Sequence, residues 1–122
     1  MSKDMIWITF QVEGMHCYPA AANDPKLATG DEYDVSFLAH PHRHIFYFKV
    51  HMEVFHDDRD VEFIVFKRMM RDYIEKTYYN PEIDCCDFGS KSCEMLASEI
   101  YKEFELCYCA VYEDNENGAE VY

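Results

Sequence analysis

The sequence predicts an α+β domain spanning residues 1–122, with a four-stranded antiparallel sheet and two helices packed on one face. Three observations carry this. Two stretches near the amino terminus alternate apolar and polar residues with the period of a strand, two central stretches repeat with the period of a helix, and the chain then returns to strand. The element order is therefore strand, strand, helix, helix, strand, strand, which fits helices segregated to one side of an antiparallel sheet.

The first strand runs from about Met5 to Met15, with Ile6, Ile8, Phe10 and Val12 on one face and Trp7, Thr9, Gln11 and Glu13 on the other. By the same parity His16 continues the Ile8/Phe10 face. From about Cys17 to Val35 a long connection is marked by Pro19, Asn23-Asp24-Pro25 and Thr29-Gly30-Asp31. Connections of that length in a compact domain are commonly functional, and this one is bracketed by His16 and His40. The second strand opens at Ala39-His40-Pro41-His42-Arg43-His44 and runs on to Phe55. After a polar turn at 56–60, Phe63, Phe66, Met70, Tyr73, Ile74 and Thr77 form one helical face, which Asn80-Pro81 ends. An irregular piece reaches Gly89. Ser90 or Ser92 then caps a second helix with Cys93, Leu96, Ala97, Ile100 and Phe104 at helical spacing. The last strand covers Glu105 to Glu113, and a polar turn leads to a short Ala119-Glu120-Val121-Tyr122 segment.

Composition bounds the function. With 24 acidic against 11 basic side chains the formal net charge is −13, which opposes nucleic-acid backbones and anionic membranes at long range. No Lys/Arg-rich run offsets it, so no nucleic-acid partner is expected. No apolar stretch is long enough to span a bilayer, and Met1-Ser2-Lys3-Asp4 before a short, interrupted apolar patch makes a poor leader. A cytoplasmic protein without membrane association is the expectation, with its six cysteines as reduced thiols.

The histidines carry the chemistry. On a strand His40 and His42 share a face with Cα atoms roughly 6.6 Å apart, close enough for two imidazoles to meet on one ion. His44 lies about 13 Å from His40 by the same rise, too far to join both neighbours unless the strand bends. A third ligand then has to come from another element, and His16 is the candidate. Three protein ligands with an open fourth position describe a catalytic zinc site.

With the elements placed, the chain resembles the 6-pyruvoyl-tetrahydropterin synthase and 6-carboxy-tetrahydropterin synthase family along nearly its whole length. Residues 12–19, VEGMHCYP, look like the family's F-E-A-A-H-R-L-P, and His40-Pro41-His42 stands in the place of its H-G-H. Residues 61–67, VEFIVFK, are similar to V-D-F-x-x-L-K, and residues 91–97, KSCEMLA, to P-T-S-E-N-L-A. Val111-Tyr112-Glu113 followed by Ala119-Glu120-Val121-Tyr122 looks like the closing V-x-E-T-P...A-E-Y. The resemblance implies the tunnelling fold and subunit sheets closed into a barrel, hence a homo-oligomer, a trimer or a hexamer. It also implies Zn2+ on His16, His40 and His42, and a pterin held by Glu113 and Ser92. The implied activity is that of a lyase acting on a 7,8-dihydroneopterin (triphosphate) type substrate.

The chain departs from the pattern where protons are handled. Ser36 stands at the position of the family's cysteine, and Glu75 and Lys76 stand where its aspartate and histidine would be. A hydroxyl without an adjacent base is a much poorer proton acceptor than a thiol titrating near 8.5. Glu32 or Asp34, on the preceding loop, is the candidate replacement base. The residues thus leave two readings, a zinc-dependent lyase and a protein of the same fold that binds a pterin or purine without turnover; a metal-free structural relative is a third.

Overall fold

A computed structural model describes residues 3–122; Met1 and Ser2, part of the amino-terminal stretch read for a leader, lie outside the described residues. Strand β1 (Asp4–His16) pairs antiparallel with β2 (His42–Val54) along its whole length, from Asp4 opposite Val54 to His16 opposite His42. The alternation read from the sequence is realised: Ile8, Phe10 and Val12 are buried with Phe46, Phe48 and Val50 from β2, and the Phe10 and Phe48 rings stack at 4.9 Å.

Helix α1 (Phe63–Tyr78) starts where the Glu62 side chain accepts the Ile64 N–H, and it stops before Asn80-Pro81, as proline requires. Its inner face is Phe66, Met70 and Ile74. Helix α2 (Cys93–Glu103) is capped by Ser92, whose hydroxyl accepts the Met95 N–H at 3.2 Å. Its buried residues Cys93, Leu96, Ala97 and Ile100 join α1 and the strand face in one apolar cluster. Each fully buried Phe, Ile or Leu there contributes about 1.5–3 kcal/mol, so the cluster is the main adhesive between helices and sheet. Strands β5 (Tyr108–Glu113) and β6 (Asn117–Val121) extend the sheet beyond β2, antiparallel throughout. The turn between them places Asp114 and Asn115 in the left-handed region, which short polar side chains tolerate.

The sheet corrects the expectation of four antiparallel strands. It has six, in the order β3-β4-β1-β2-β5-β6. Strand β3 (Tyr79–Asn80) directly follows α1, and β4 (Cys85–Gly89) lies parallel to β1, with Gly14 opposite Cys86. Both fall in or beside the stretch read as irregular. A short run with Cys85, Cys86 and Phe88 all buried lacks the alternation of a half-exposed strand, because it is covered from more than one side. Gly14 is required where these strands meet: a Cβ there would stand 2.4 Å from Phe88 Cε2. Among the described residues no helix is long and apolar enough to cross a membrane.

Candidate metal centre

The paired ends of β1 and β2 bring three imidazoles together. His16 ends β1, His42 begins β2 directly opposite it, and His44 follows two residues on, on the same face. One ligand nitrogen from each can be chosen so that all lie within 4.8 Å of one another, and the ring centroids are 4.6–5.2 Å apart.

This geometry corrects one expected ligand. His40 is not in the group; it is exposed and lies before the strand, closing a 3-10 turn (Ser36–Ala39) with its N–H donating to the Phe37 carbonyl at 3.0 Å. Strand pairing stops at His42, and Pro41, which has no N–H, separates it from the turn. The two-residue step that brings strand histidines together operates, but between His42 and His44. What His40 supplies is its backbone carbonyl.

Each ring is oriented through Nδ1. His16 Nδ1 donates to the Lys91 carbonyl at 3.0 Å, His42 Nδ1 to the His40 carbonyl at 2.8 Å, and His44 Nδ1 to Asp114 Oδ2 at 2.6 Å. Carbonyl and carboxylate oxygens only accept, so each Nδ1 carries a proton, and Nε2 is the nitrogen left to face an ion. Metal-binding histidines are held in this way, the nitrogen that does not ligate donating to an oxygen that fixes the ring. His16 is 8% exposed, and burial, reinforced by the neighbouring His42 and His44, holds its pKa below the ordinary range against the opposing pull of the Lys91 carbonyl and Glu113. Lys91 is itself fixed: its ammonium donates to Tyr78 Oη at 2.6 Å and to Glu99, and these two bonds raise its pKa.

Glu113, the last residue of β5, faces this group. Its Oε1 lies 3.5 Å from His16 Nε2 and its Oε2 lies 3.3 Å from His44 Nε2. Lone pairs and carboxylate oxygens are all acceptors, so the arrangement is favourable only with positive charge between them, a proton or a metal ion. The donor set fits a metal: three imidazoles, each tied through Nδ1 with Nε2 left for an ion, and an anion alongside. The Cys93 thiol donates to the same Oε1 at 3.6 Å, and burial, then the carboxylate, push that thiol up to about 12.

His16, His42 and Glu113 line one cavity of about 740 Å³ together with Cys17, Ser92 and Cys93. The expected site residues Ser92 and Glu113 thus share its wall. Glu32, Asp34 and Ser36 do not line it. Ser36 Oγ donates to Asp34 Oδ1 at 2.8 Å and the Gly30 N–H donates to Asp34 Oδ2 at 3.0 Å, bonds that hold the Asp34 carboxyl below its usual range. Glu32 is exposed. The residues that sequence reasoning set aside or passed over are His44, Asp114, Cys17 and Cys93. For His44 the signal was present: Pro41 argues that a strand begins after it.

No protein-family model and no curated protein matches the sequence. Solved structures match the fold. An uncharacterized protein, WS1659 from Wolinella succinogenes, superposes with a TM-score of 0.67 at 14% identity, covering 100% of this chain and 99% of that one. The 6-pyruvoyl tetrahydropterin synthase of Caenorhabditis elegans superposes with a TM-score of 0.66 at 10% identity, covering 99% and 96%. This chain therefore has the fold of that synthase.

Proposed function

We propose that the protein is a zinc-dependent lyase of the 6-pyruvoyl/6-carboxy-tetrahydropterin synthase type, acting on a 7,8-dihydroneopterin (triphosphate) type substrate. The observation that carries this reading is the convergence of three Nδ1-anchored histidines beside Glu113, with His16, His42 and Glu113 on a cavity wall, in a chain with that synthase's fold. His16, His42 and His44 would hold the metal. When bound, zinc supplies Lewis acidity that stabilises charge developing on a substrate oxygen as the proton on the neighbouring carbon leaves. The chain's own groups bind and orient. The two oxygens of Glu113 suit the parallel N–H donors on the guanidine-like edge of a pterin ring, a charge-assisted pair. Ser92, at the start of α2 on the same wall, is the second substrate-binding residue. The proposed base is Glu32 or Asp34, with Ser36 beside it. Of the two, Asp34 is already engaged by Ser36 and Gly30, which leaves Glu32 as the better acceptor. By the same reading the subunits close their sheets into a trimer or a paired-ring hexamer in the cytoplasm, and light scattering that returns a monomer at all concentrations contradicts this.

One observation favours a second reading, a protein that binds a pterin or purine without turning it over. Two of the groups proposed to move the proton, Asp34 and Ser36, are bonded to each other, and neither they nor Glu32 line the cavity. Incubation of the purified protein with dihydroneopterin triphosphate, followed by chromatography of the pterins, separates the two. Product that disappears in His42→Ala supports the lyase. Tight pterin binding without product supports the binder, and product that survives His42→Ala removes the metal site from the reaction.

A further inference from the structure

The partners of the three imidazoles differ in kind. His16 and His42 donate to neutral backbone carbonyls, whereas His44 donates to a carboxylate, that of Asp114, over the shortest of the three contacts at 2.6 Å. Asp114 is also held to β2 by two further bonds. Its N–H donates to the Ile45 carbonyl at 2.8 Å, and its Oδ1 accepts the Ile45 N–H at 3.0 Å. One carboxylate oxygen thus anchors the strand while the other faces the ring. The residue adopts φ 51° at the turn leaving β5, which brings both oxygens back onto β2. In the closing motif V-x-E-T-P that this chain resembles, threonine follows the glutamate. Here aspartate does, and aspartate adds a negative charge at that point.

We infer that Asp114 is the positioning residue of the metal centre: it keeps the His44 proton on Nδ1, fixes the plane of the ring, and raises the donor strength of Nε2 toward a divalent cation. A carboxylate behind a ligating histidine makes the imidazole a better base than a carbonyl does, and losing such a partner typically weakens metal binding 10–100-fold. The inference rests on the reading of His16, His42 and His44 as a metal site, and it ascribes to Asp114 no contact with substrate.

The comparison that tests it uses Asp60, whose Oδ2 accepts the Phe55 N–H at 2.9 Å and whose Oδ1 lies 3.5 Å from His56 Nε2, at the opposite end of the β1–β2 ribbon. It is a carboxylate of similar kind, on a histidine outside the group. Zinc affinity of the full chain is measured by competition with a chromophoric chelator for wild type, Asp114→Asn, Asp114→Ala and Asp60→Asn. In parallel, side-chain nitrogen–proton correlation spectra of the metal-free protein report which nitrogen of His44 carries the proton. The expected result is a 10–100-fold loss of zinc affinity in both Asp114 variants, none in Asp60→Asn, and a proton on His44 Nδ1 that becomes mixed between the two nitrogens in Asp114→Asn. Folded Asp114 variants that bind zinc within twofold of wild type overturn the inference. So does a metal-free wild type whose His44 Nδ1 is bare. If Asp114→Ala fails to fold, Asp114→Asn and the wild-type spectrum still decide. A wild type that binds no zinc refutes the metal reading, while the nitrogen spectra continue to judge the hold of Asp114 on His44.

Discussion

The paired strand ends carry His16, His42 and His44, whereas the connection between those strands carries Glu32, Asp34 and Ser36, and the two regions differ in what holds their polar groups. His16 is oriented by a residue 75 positions away and His44 by one 70 positions away, while His42 alone is oriented locally, by the His40 carbonyl 2 positions back. Asp34 is held by residues 2 and 4 positions away. Long-range bonds exist only when the sheet and α2 are assembled, so the setting of His16 and His44 is a product of the whole fold, and His42 joins them through the strand register. Around Asp34 the connection satisfies its polar groups locally. Preorganisation therefore belongs to the histidine half of the candidate site.

The sharpest way to break this comparison is to exchange histidines between the regions. His42→Ala is expected to abolish stoichiometric zinc binding, from about one ion per chain to background, by elemental analysis after gel filtration. His40→Ala keeps the backbone carbonyl that His42 uses and is expected to retain the metal. Equal loss in both would mean that the strand register does not select the ligands.

A smaller effect is expected from Gly14→Ala, on β1 between β4 and His44. The added Cβ would meet Phe88 Cδ2 at 2.8 Å and Phe46 Cδ2 at 3.1 Å, so aromatic rings under the histidines must move. Overpacking of this sort costs about 1–3 kcal/mol. Urea unfolding should register that loss, with weaker zinc binding alongside it; destabilisation with unchanged affinity would show that the centre does not depend on the packing beneath it.

The core that supports the strands also has an alkaline limit. Burial pushes the Cys109 thiol up to about 12 from an ordinary 9.0, and it acts alike on Cys86, to about 11. Between those values the unfolded chain has lost protons that the folded chain keeps, so stability is complete below pH 9 and falls as pH rises. Each such thiol contributes about 1.4 kcal/mol per pH unit in that window. Denaturant titrations from pH 8 to 10.5 should show the fall, and Cys109→Ala should make it shallower. The smallest effect belongs to the connection: Asp34→Asn should leave zinc affinity at the wild-type value, and a drop would tie the loop to the centre after all.

Much of this architecture is legible in local pattern. The alternation of Ile8, Phe10 and Val12, the spacing of Phe66, Met70 and Ile74, the cap at Ser92 and the stop at Asn80-Pro81 each report a conformation decided by neighbours in sequence, and each stands where the pattern places it. His16 was a candidate from its place on the Ile8/Phe10 face just past the first strand, whereas Glu113 was named only through the family resemblance.

Tertiary structure decided the rest. In His40-Pro41-His42-Arg43-His44 two overlapping pairs share the same two-residue step, and periodicity weighs them equally. Only the register of β1 on β2, ending at His16 opposite His42, and the turn that takes up residues 36–39 select the second pair. Strand β4 is defined by parallel pairing to a strand some seventy residues earlier, for which Cys85-Cys86-Asp87-Phe88 holds no periodic trace. Asp114 sits in a polar turn like any other until β5 is laid beside β2 and brings its carboxylate onto His44. Sequence alone determined the two helices and the two long strands β1 and β2, because backbone preference and amphipathic period are local. Which histidines meet, and which carboxylates stand behind them, depended on pairing between distant strands, whose energy appears only once they are in contact.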